Sequence, residues 1–347
     1  MKIIFRKAAL SIAGLFFVFS TDAFAQDYLS TTLDVQTGLS DNCVNDVLFD
    51  SENFLWIGTN EGLDFYDGAN VVHFDLLNPE NGRPSVVFSL CEDSYGTVWV
   101  GSSNGLFYIA DDSDGVKRFE NPQLDGVSVR QISCADNGQL WVVRGGDPLL
   151  RIDTRTSEIV SYPIVCKSLC QGCDGAVYLR SSDGSIMRSA DGKQEFQILS
   201  AELDFMLRDE DISRIICASG RLFLSTGNGT PYVVDLQTLL VKRLDFLSKM
   251  RGLLERASGE LWIAARDGIH VLDADLQQRR VFRPHHDNSF RCLAEDNRGG
   301  VWGGTLFEGL VRISPNHLDF RHYSEKFIGG AALRLVISWK TMPDVYG

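Results

Sequence analysis

Apolar and polar positions alternate along this chain in runs of about five residues, and turn residues punctuate the runs. The clearest stretch is 48–68, LFDSENFLWIGTNEGLDFYDG. Leu48 and Phe49 end one strand and Asp50-Ser51-Glu52-Asn53 makes a turn. Residues 55–59, Leu-Trp-Ile-Gly-Thr, form a second strand, followed by the turn Asn60-Glu61-Gly62. Residues 63–66 form a third, and Asp67-Gly68 turns again. Such turns supply the positive φ that tight hairpins need, while the runs between them are β-branched and aromatic. The pattern predicts consecutive antiparallel hairpins.

The stretch recurs. Anchor aromatics stand at Trp56, Trp99, Trp141, Tyr178, Phe223, Trp262 and Trp302, with steps of 43, 42, 37, 45, 39 and 40 residues. Copies four and five lack the tryptophan and the Gly-Thr after it. A period near forty, with several short strands per unit, is the mark of a β-propeller. In the first unit the strands fall at about 44–49, 54–59, 63–66 and 71–74. The expectation is an all-β chain: a seven-bladed β-propeller of four-stranded antiparallel blades, preceded by a signal peptide. Sheets with two apolar faces must pack against one another, so each anchor becomes a wedge between blades. Truncating one to alanine is expected to cost roughly 3–5 kcal/mol. Gly58 and Gly101, beside their anchors, permit close sheet approach.

Asp50, the run Leu55-Trp56-Ile57-Gly58-Thr59, Gly62-Leu63 and Tyr66-Asp67-Gly68, preceded by Gly38-Leu39-Ser40, resemble the two-component regulator propeller repeat. The resemblance covers about 37–323 and is weakest in units four and five. It implies the periplasmic sensor region of hybrid two-component proteins, found mainly in Bacteroidetes, which control glycan-use genes. It also implies recognition of a small saccharide released from a glycan, and a signal passed by a change in the geometry of a homodimer.

Charge and the ends of the chain narrow the picture. The formal net charge is −13. Lys2, Arg6 and Lys7 precede a run of twelve apolar residues, 8–19, and Ala23-Phe24-Ala25 fits a cleavage site before Gln26. Residues 1–25 therefore read as a cleavable signal peptide delivering the chain to the periplasm. The run is too short to cross about 30 Å of hydrocarbon. Removing Lys2, Arg6, Lys7 and Asp22 takes the charge to −15. A surface that acidic repels phosphate backbones and anionic lipid, which excludes a nucleic-acid partner and membrane contact by the mature chain.

Residues 26–324 are assigned to the propeller. Residues 28–33 are expected to close the ring as the outer strand of the last blade. The segment 319–323 then opens something further, and 325–347 reads as an aberrant tail, the start of an incomplete further repeat. Leu335-Val336-Ile337 suits a first strand, but no Asp-Gly turn and Leu-Trp-Ile-Gly strand follow. The expectation is a truncated or frameshifted sensor without kinase or DNA-binding parts, with an intended short propeller as the alternative.

No catalytic residue, metal ligand or cofactor is nominated, and no ligand-binding residue is assigned. Ligands are expected where loops converge on one end of the ring, before the first strand of a unit and between its second and third strands. Residues 79–84, 145–148 and 283–289 belong to those loops. Eight cysteines are present. Cys91, Cys134, Cys217 and Cys292 sit in first strands and read as buried thiols, since inner strands of different blades are expected to radiate apart. Cys43 carries no assignment. Cys166, Cys170 and Cys173 have the C-x3-C-x2-C spacing of radical S-adenosylmethionine enzymes, but no α/β pattern surrounds them. A local disulfide, or a chance group of thiols, is the expectation there. His285-His286-Asp287 reads as a solvated loop, because adjacent extended side chains point opposite ways and the spacing is not that of a zinc site.

Two other readings stand beside the sensor. A propeller lyase, acting on a polysaccharide or a small cyclic substrate, needs histidines and acids grouped at the ring centre. His73, His270, His285, His286, His317 and His322 share no repeat position. The other is a scaffold that only dimerises.

Overall fold

The computed structural model describes residues 28–315, apart from 80, 111–114, 136, 191, 193, 194, 228 and 285–288. The expected signal peptide, the segment 319–323 and the tail lie outside them, as do His285, His286, His317 and His322.

The chain opens with β1 (Tyr28–Leu33). The first four-stranded sheet is β2 (Val44–Phe49), β3 (Leu55–Thr59), β4 (Gly62–Tyr66) and β5 (Val71–Phe74). The second is β6 (Val87–Glu92), β7 (Val98–Ser102), β8 (Gly105–Ile109) and β9 (Lys117–Arg118). Next come β10 (Val129–Cys134), β11 (Gln139–Arg144), β12 (Pro148–Asp153), β13 (Ile159–Gln171), β14 (Val177–Ser181), β15 (Ile186–Ser189) and β16 (Gln197–Ile198), which form one seven-stranded sheet. After the short helix α1 (Ala201–Leu207) come β17 (Ile212–Ala218), β18 (Arg221–Thr226), β19 (Tyr232–Asp235) and β20 (Val241–Arg243). Then come β21 (Met250–Glu255), β22 (Leu261–Ala265), β23 (Gly268–Leu272) and β24 (Gln278–Phe282). The last sheet has the order β1, β27 (Leu310–Pro315), β26 (Val301–Thr305) and β25 (Phe290–Glu295).

The expected seven-bladed β-propeller of four-stranded blades is thereby corrected. Five four-stranded sheets stand, and one seven-stranded sheet takes the place of the third and fourth. The cause is β13. It runs thirteen residues without a turn and pairs at one end with β12 (Ser161↔Leu150) and at the other with β14 (Cys170↔Tyr178). Between those ends lies Ser-Tyr-Pro-Ile-Val, which has no glycine or asparagine to fold the chain back. The anchors on either side, Trp141 and Tyr178, are also the closest pair in sequence.

The first strand of each unit touches the next, from β2 through β6, β10, β13, β17, β21 and β25, and β25 returns to β2. β1 closes the last sheet in antiparallel register with β27, Tyr28 opposite Pro315 and Leu33 opposite Leu310. Each anchor aromatic lies in a different apolar cluster between neighbouring sheets. Trp56 packs with Val87, Leu90 and Val100 of the following unit. Trp99 packs with Ile132 and Leu140, and Trp302 with Val44, Val47 and Ile57 across the ring closure. Close approach beside the anchors needs glycine: a Cβ on Gly58 would lie 2.6 Å from Val87 Cγ1, and one on Gly304 would lie 2.6 Å from Val44 Cγ1.

The anchors are also clamped by polar contacts. Trp56 Nε1 donates to Asp50 at 2.8 Å, Trp99 Nε1 to Asp93 at 2.9 Å and Trp302 Nε1 to Asp296 at 3.0 Å. The other oxygen of each aspartate accepts two N–H groups of its turn. One carboxylate thus shapes the hairpin and orients the wedge.

Candidate ligand funnel at the ring axis

The first strands share a second feature. Each carries a bulge where the register with its neighbour skips a residue, near the strand's start except in β13, where it falls at the start of the segment paired with β14. The skipped residues are Asn45, Phe88, Arg130, Lys167, Ser213, Arg251 and Arg291. A bulge re-aims its side chain away from the two faces of the sheet. In an innermost strand those faces are packed against neighbouring sheets, and the remaining direction is the axis. Arg130 and Lys167 are exposed although Val129 and Cys166 before them are buried. The Arg130 guanidinium sits 4.5 Å over the Phe88 ring of the preceding unit, so neighbouring bulge residues meet.

Four of these residues are cationic, and Arg214 beside Ser213 adds a fifth. Asp46 is the carboxylate among them. Burial pushes its pKa up, although the Leu90 N–H and the charge of Arg214 act the other way. Arg214 belongs to the fifth unit and Asp46 to the first, so their coupling crosses the ring.

Just outward of the bulges, polar side chains stitch successive first strands together from β2 round to β21. Asp46 accepts from Leu90 N–H at 2.9 Å and Ser89 Oγ from Ile132 N–H at 3.2 Å. Ser168 Oγ accepts from Ile215 N–H at 3.2 Å, and Arg214 donates to the Arg251 carbonyl. These bonds fix the spacing of the strands that carry the cations.

The described parts of the expected ligand loops adjoin the starts of the first strands. Residues linking second and third strands bond to the residue just before a first strand: Ser103 N–H to Val86 O, Gly145 N–H to Ser128 O and Leu306 N–H to Ser289 O. In 79–84 the chain is pinned by the Asn78 N–H to Arg83 O bond and the bridge between Leu77 and Pro84. In 145–148, the Arg144 guanidinium holds the Pro148 carbonyl. Arg283 bonds the Asp267 carbonyl and carboxylate, and 285–288 lies outside the described residues.

The two histidines among the described residues do not lie on the innermost strands. His73 lies on β5, the fourth strand of its sheet, and bonds Asp64 and Asp75. His270 lies on β23, a third strand, buried between Gln278 and Asp267. Among the described residues, no three His, Cys, Asp or Glu side chains are grouped for a metal ion.

The cysteines bring one correction. Cys91 and Cys134 are not buried thiols but a disulfide joining β6 to β10, with Cα atoms 5.8 Å apart. Inner strands are where adjacent sheets come closest, so the expected spreading fails there. Cys166, Cys170 and Cys173 are all free, which fits the second of the two expectations for them, a chance group of thiols. Burial pushes the Cys166 thiol up to about 12. Cys43, Cys217 and Cys292 are free as well.

The two-component regulator propeller family matches residues 38–61 and 81–104, the segments that hold Trp56 and Trp99. The chain thus carries the two-component regulator propeller repeat. Among solved structures it is similar to the extracellular domain of BT3049 from B. thetaiotaomicron, described as a hybrid two-component system. The TM-score is 0.66 at 19% identity, covering 83% of this chain and 42% of that one. The extracellular domain of BT4673 from the same organism, described as a one-component system, gives 0.65 at 18% identity over 83% and 40%. Virginiamycin B lyase from Staphylococcus aureus gives 0.65 at 14% identity over 83% and 99%. At these identities the likeness is one of propeller fold. The chain spans less than half the length of the two Bacteroides domains. No protein of curated function matches the sequence.

Proposed function

We propose that this chain is the ligand-receiving propeller of an exported two-component sensor, and that its axial mouth takes a small glycan-derived saccharide bearing a carboxylate or sulfate. The observation that carries the reading is the placement of Arg130, Lys167, Arg251 and Arg291 at one recurring bulge, in a chain of net charge −13. Guanidinium groups pair with planar oxyanions through two parallel hydrogen bonds. Phe88 lies beneath Arg130 and holds its guanidinium by a cation–π contact at 4.5 Å.

Export is supported by the Cys91–Cys134 disulfide, since such bonds persist in oxidising compartments. Sensing is supported by the repeat type and by the extracellular domains of like fold. The described residues hold no helix long and apolar enough to cross a membrane. Ligand binding would pass on as altered geometry of a homodimer. The repeat type favours the sensor over the lyase reading, and the two histidines among the described residues, His73 and His270, lie on outer strands rather than on the innermost ones.

A thermal-shift panel of uronate-bearing, sulfated and neutral oligosaccharides tests the proposal. Stabilisation by charged members, fading as salt rises, is the expected result. A panel in which no saccharide shifts the melting temperature would overturn it.

A further inference from the structure

The Cys91–Cys134 bond occupies definable repeat positions. Cys91 lies opposite its own anchor, Trp99, and Cys134 lies opposite Leu140, the residue before the next anchor, Trp141. Cys170 lies opposite the anchor Tyr178, and Cys217 opposite Leu222, the residue before the anchor Phe223. β13 and β17 are neighbours in the ring as β6 and β10 are. The surroundings correspond too. Cys91 and Cys134 pack against Trp99, Ile132 and Leu140, while Cys170 and Cys217 pack against Tyr178, Ile215 and Leu222.

We propose that Cys170 and Cys217, free thiols here, close a second disulfide between adjacent sheets, in the same repeat positions as the first. Each thiol gives up a proton, and the pair gives up two electrons to an external disulfide, which is reduced to two thiols. That oxidant is a disulfide oxidoreductase of the exported compartment or a small-molecule disulfide. The other cysteines nearby fit less well. Cys166 belongs to a different apolar cluster, with Trp141 and Leu179, and Cys173 is an exposed turn residue.

The second bond has a structural consequence. The first disulfide ties the seven-stranded sheet to the sheet before it, and the second would tie it to the sheet after it. Units two to five would then be braced as one body, and they include the two whose repeat sequence is most worn. Burial and the neighbouring Cys217 hold the Cys170 thiol well above its usual range, so oxidation of the folded, reduced protein should be slow at neutral pH.

The test is peptide mapping of the exported, unreduced protein, alkylated in denaturant and digested with trypsin. Cleavage leaves Cys170 and Cys173 together in 168–180 and Cys217 in 215–221, so Cys173→Ser is mapped alongside the wild type. The expected result is a linked 168–180 and 215–221 pair in both proteins. Reduced wild type treated with oxidised glutathione should regain the same pair. Alkylated Cys217 in both proteins, or a link lost in Cys173→Ser, would overturn the proposal.

Discussion

Gln131 grips the backbone of Leu169 in both directions. Its Nε2 donates to the Leu169 carbonyl at 2.8 Å, and its Oε1 accepts from the Leu169 N–H at 3.2 Å. Leu169 lies on β13, within the same seven-stranded sheet but one unit further round the ring. This contact belongs to the series formed by Asp46, Ser89, Ser168 and Arg214. The series stops at Gly252, where an added Cβ would lie 3.0 Å from the Arg291 carbonyl, so the backbones approach directly.

Gln131→Ala removes both partners of the Leu169 backbone. It is expected to cost about 1–3 kcal/mol, because a backbone N–H is left unpaired beside the axis. Urea unfolding of the purified propeller measures this.

The turn aspartates are expected to matter in proportion to their bonds. Asp93→Ala leaves the Trp99 indole N–H and two turn N–H groups without their acceptor, at about 1–3 kcal/mol. The Trp262 indole reaches Glu260 at only 3.4 Å, and that carboxylate is half exposed. Glu260→Ala should therefore cost less than about 1 kcal/mol. Paired denaturation curves of the two variants check the order.

Replacing Cys91 and Cys134 together by serine opens a link across 43 residues of sequence. The expected loss is about 2–4 kcal/mol, seen as a lower melting temperature that matches the reduced wild type if this bond dominates.

Asp267 gives the fold an acid dependence. Burial raises its carboxyl pKa, but hydrogen bonds from Ser248, His270 and Arg283 outweigh burial and bring it to about 2. A carboxyl lowered on folding adds stability that is present above the unfolded value near 3.8 and is lost as pH falls through about 2. The group is 41% exposed, so screening reduces the effect to about 1 kcal/mol. Asp267→Asn should flatten the stability profile between about pH 4 and pH 2 by that amount. Denaturation across that range measures it.

What the sequence made legible was local. The turns around Trp56 and Trp99 and the outer strand at 28–33 follow from residues a few positions apart. The merged sheet was not read, although the step of 37 between Trp141 and Tyr178 marks the missing connection. The Cys91–Cys134 bond depends on how near inner strands approach, a distance that no spacing along the chain reveals. The cations were missed for another reason. Asn45, Phe88, Arg130, Lys167, Arg251 and Arg291 each lie eleven residues before their anchor, and Ser213 lies ten before Phe223. Aligned by anchors, that column shows its basic residues, but only the bulge shows that the column faces the axis.

The central claim is that this column receives an anionic saccharide. Titration calorimetry of a uronate-bearing oligosaccharide into wild type and into Arg130→Ser/Arg291→Ser tests it most directly. The account predicts binding that weakens as salt rises and falls at least about tenfold in the variant, the loss of roughly 1.4 kcal/mol or more expected from removing charge-assisted bonds. Equal affinity in the two proteins, with no dependence on salt, would contradict it.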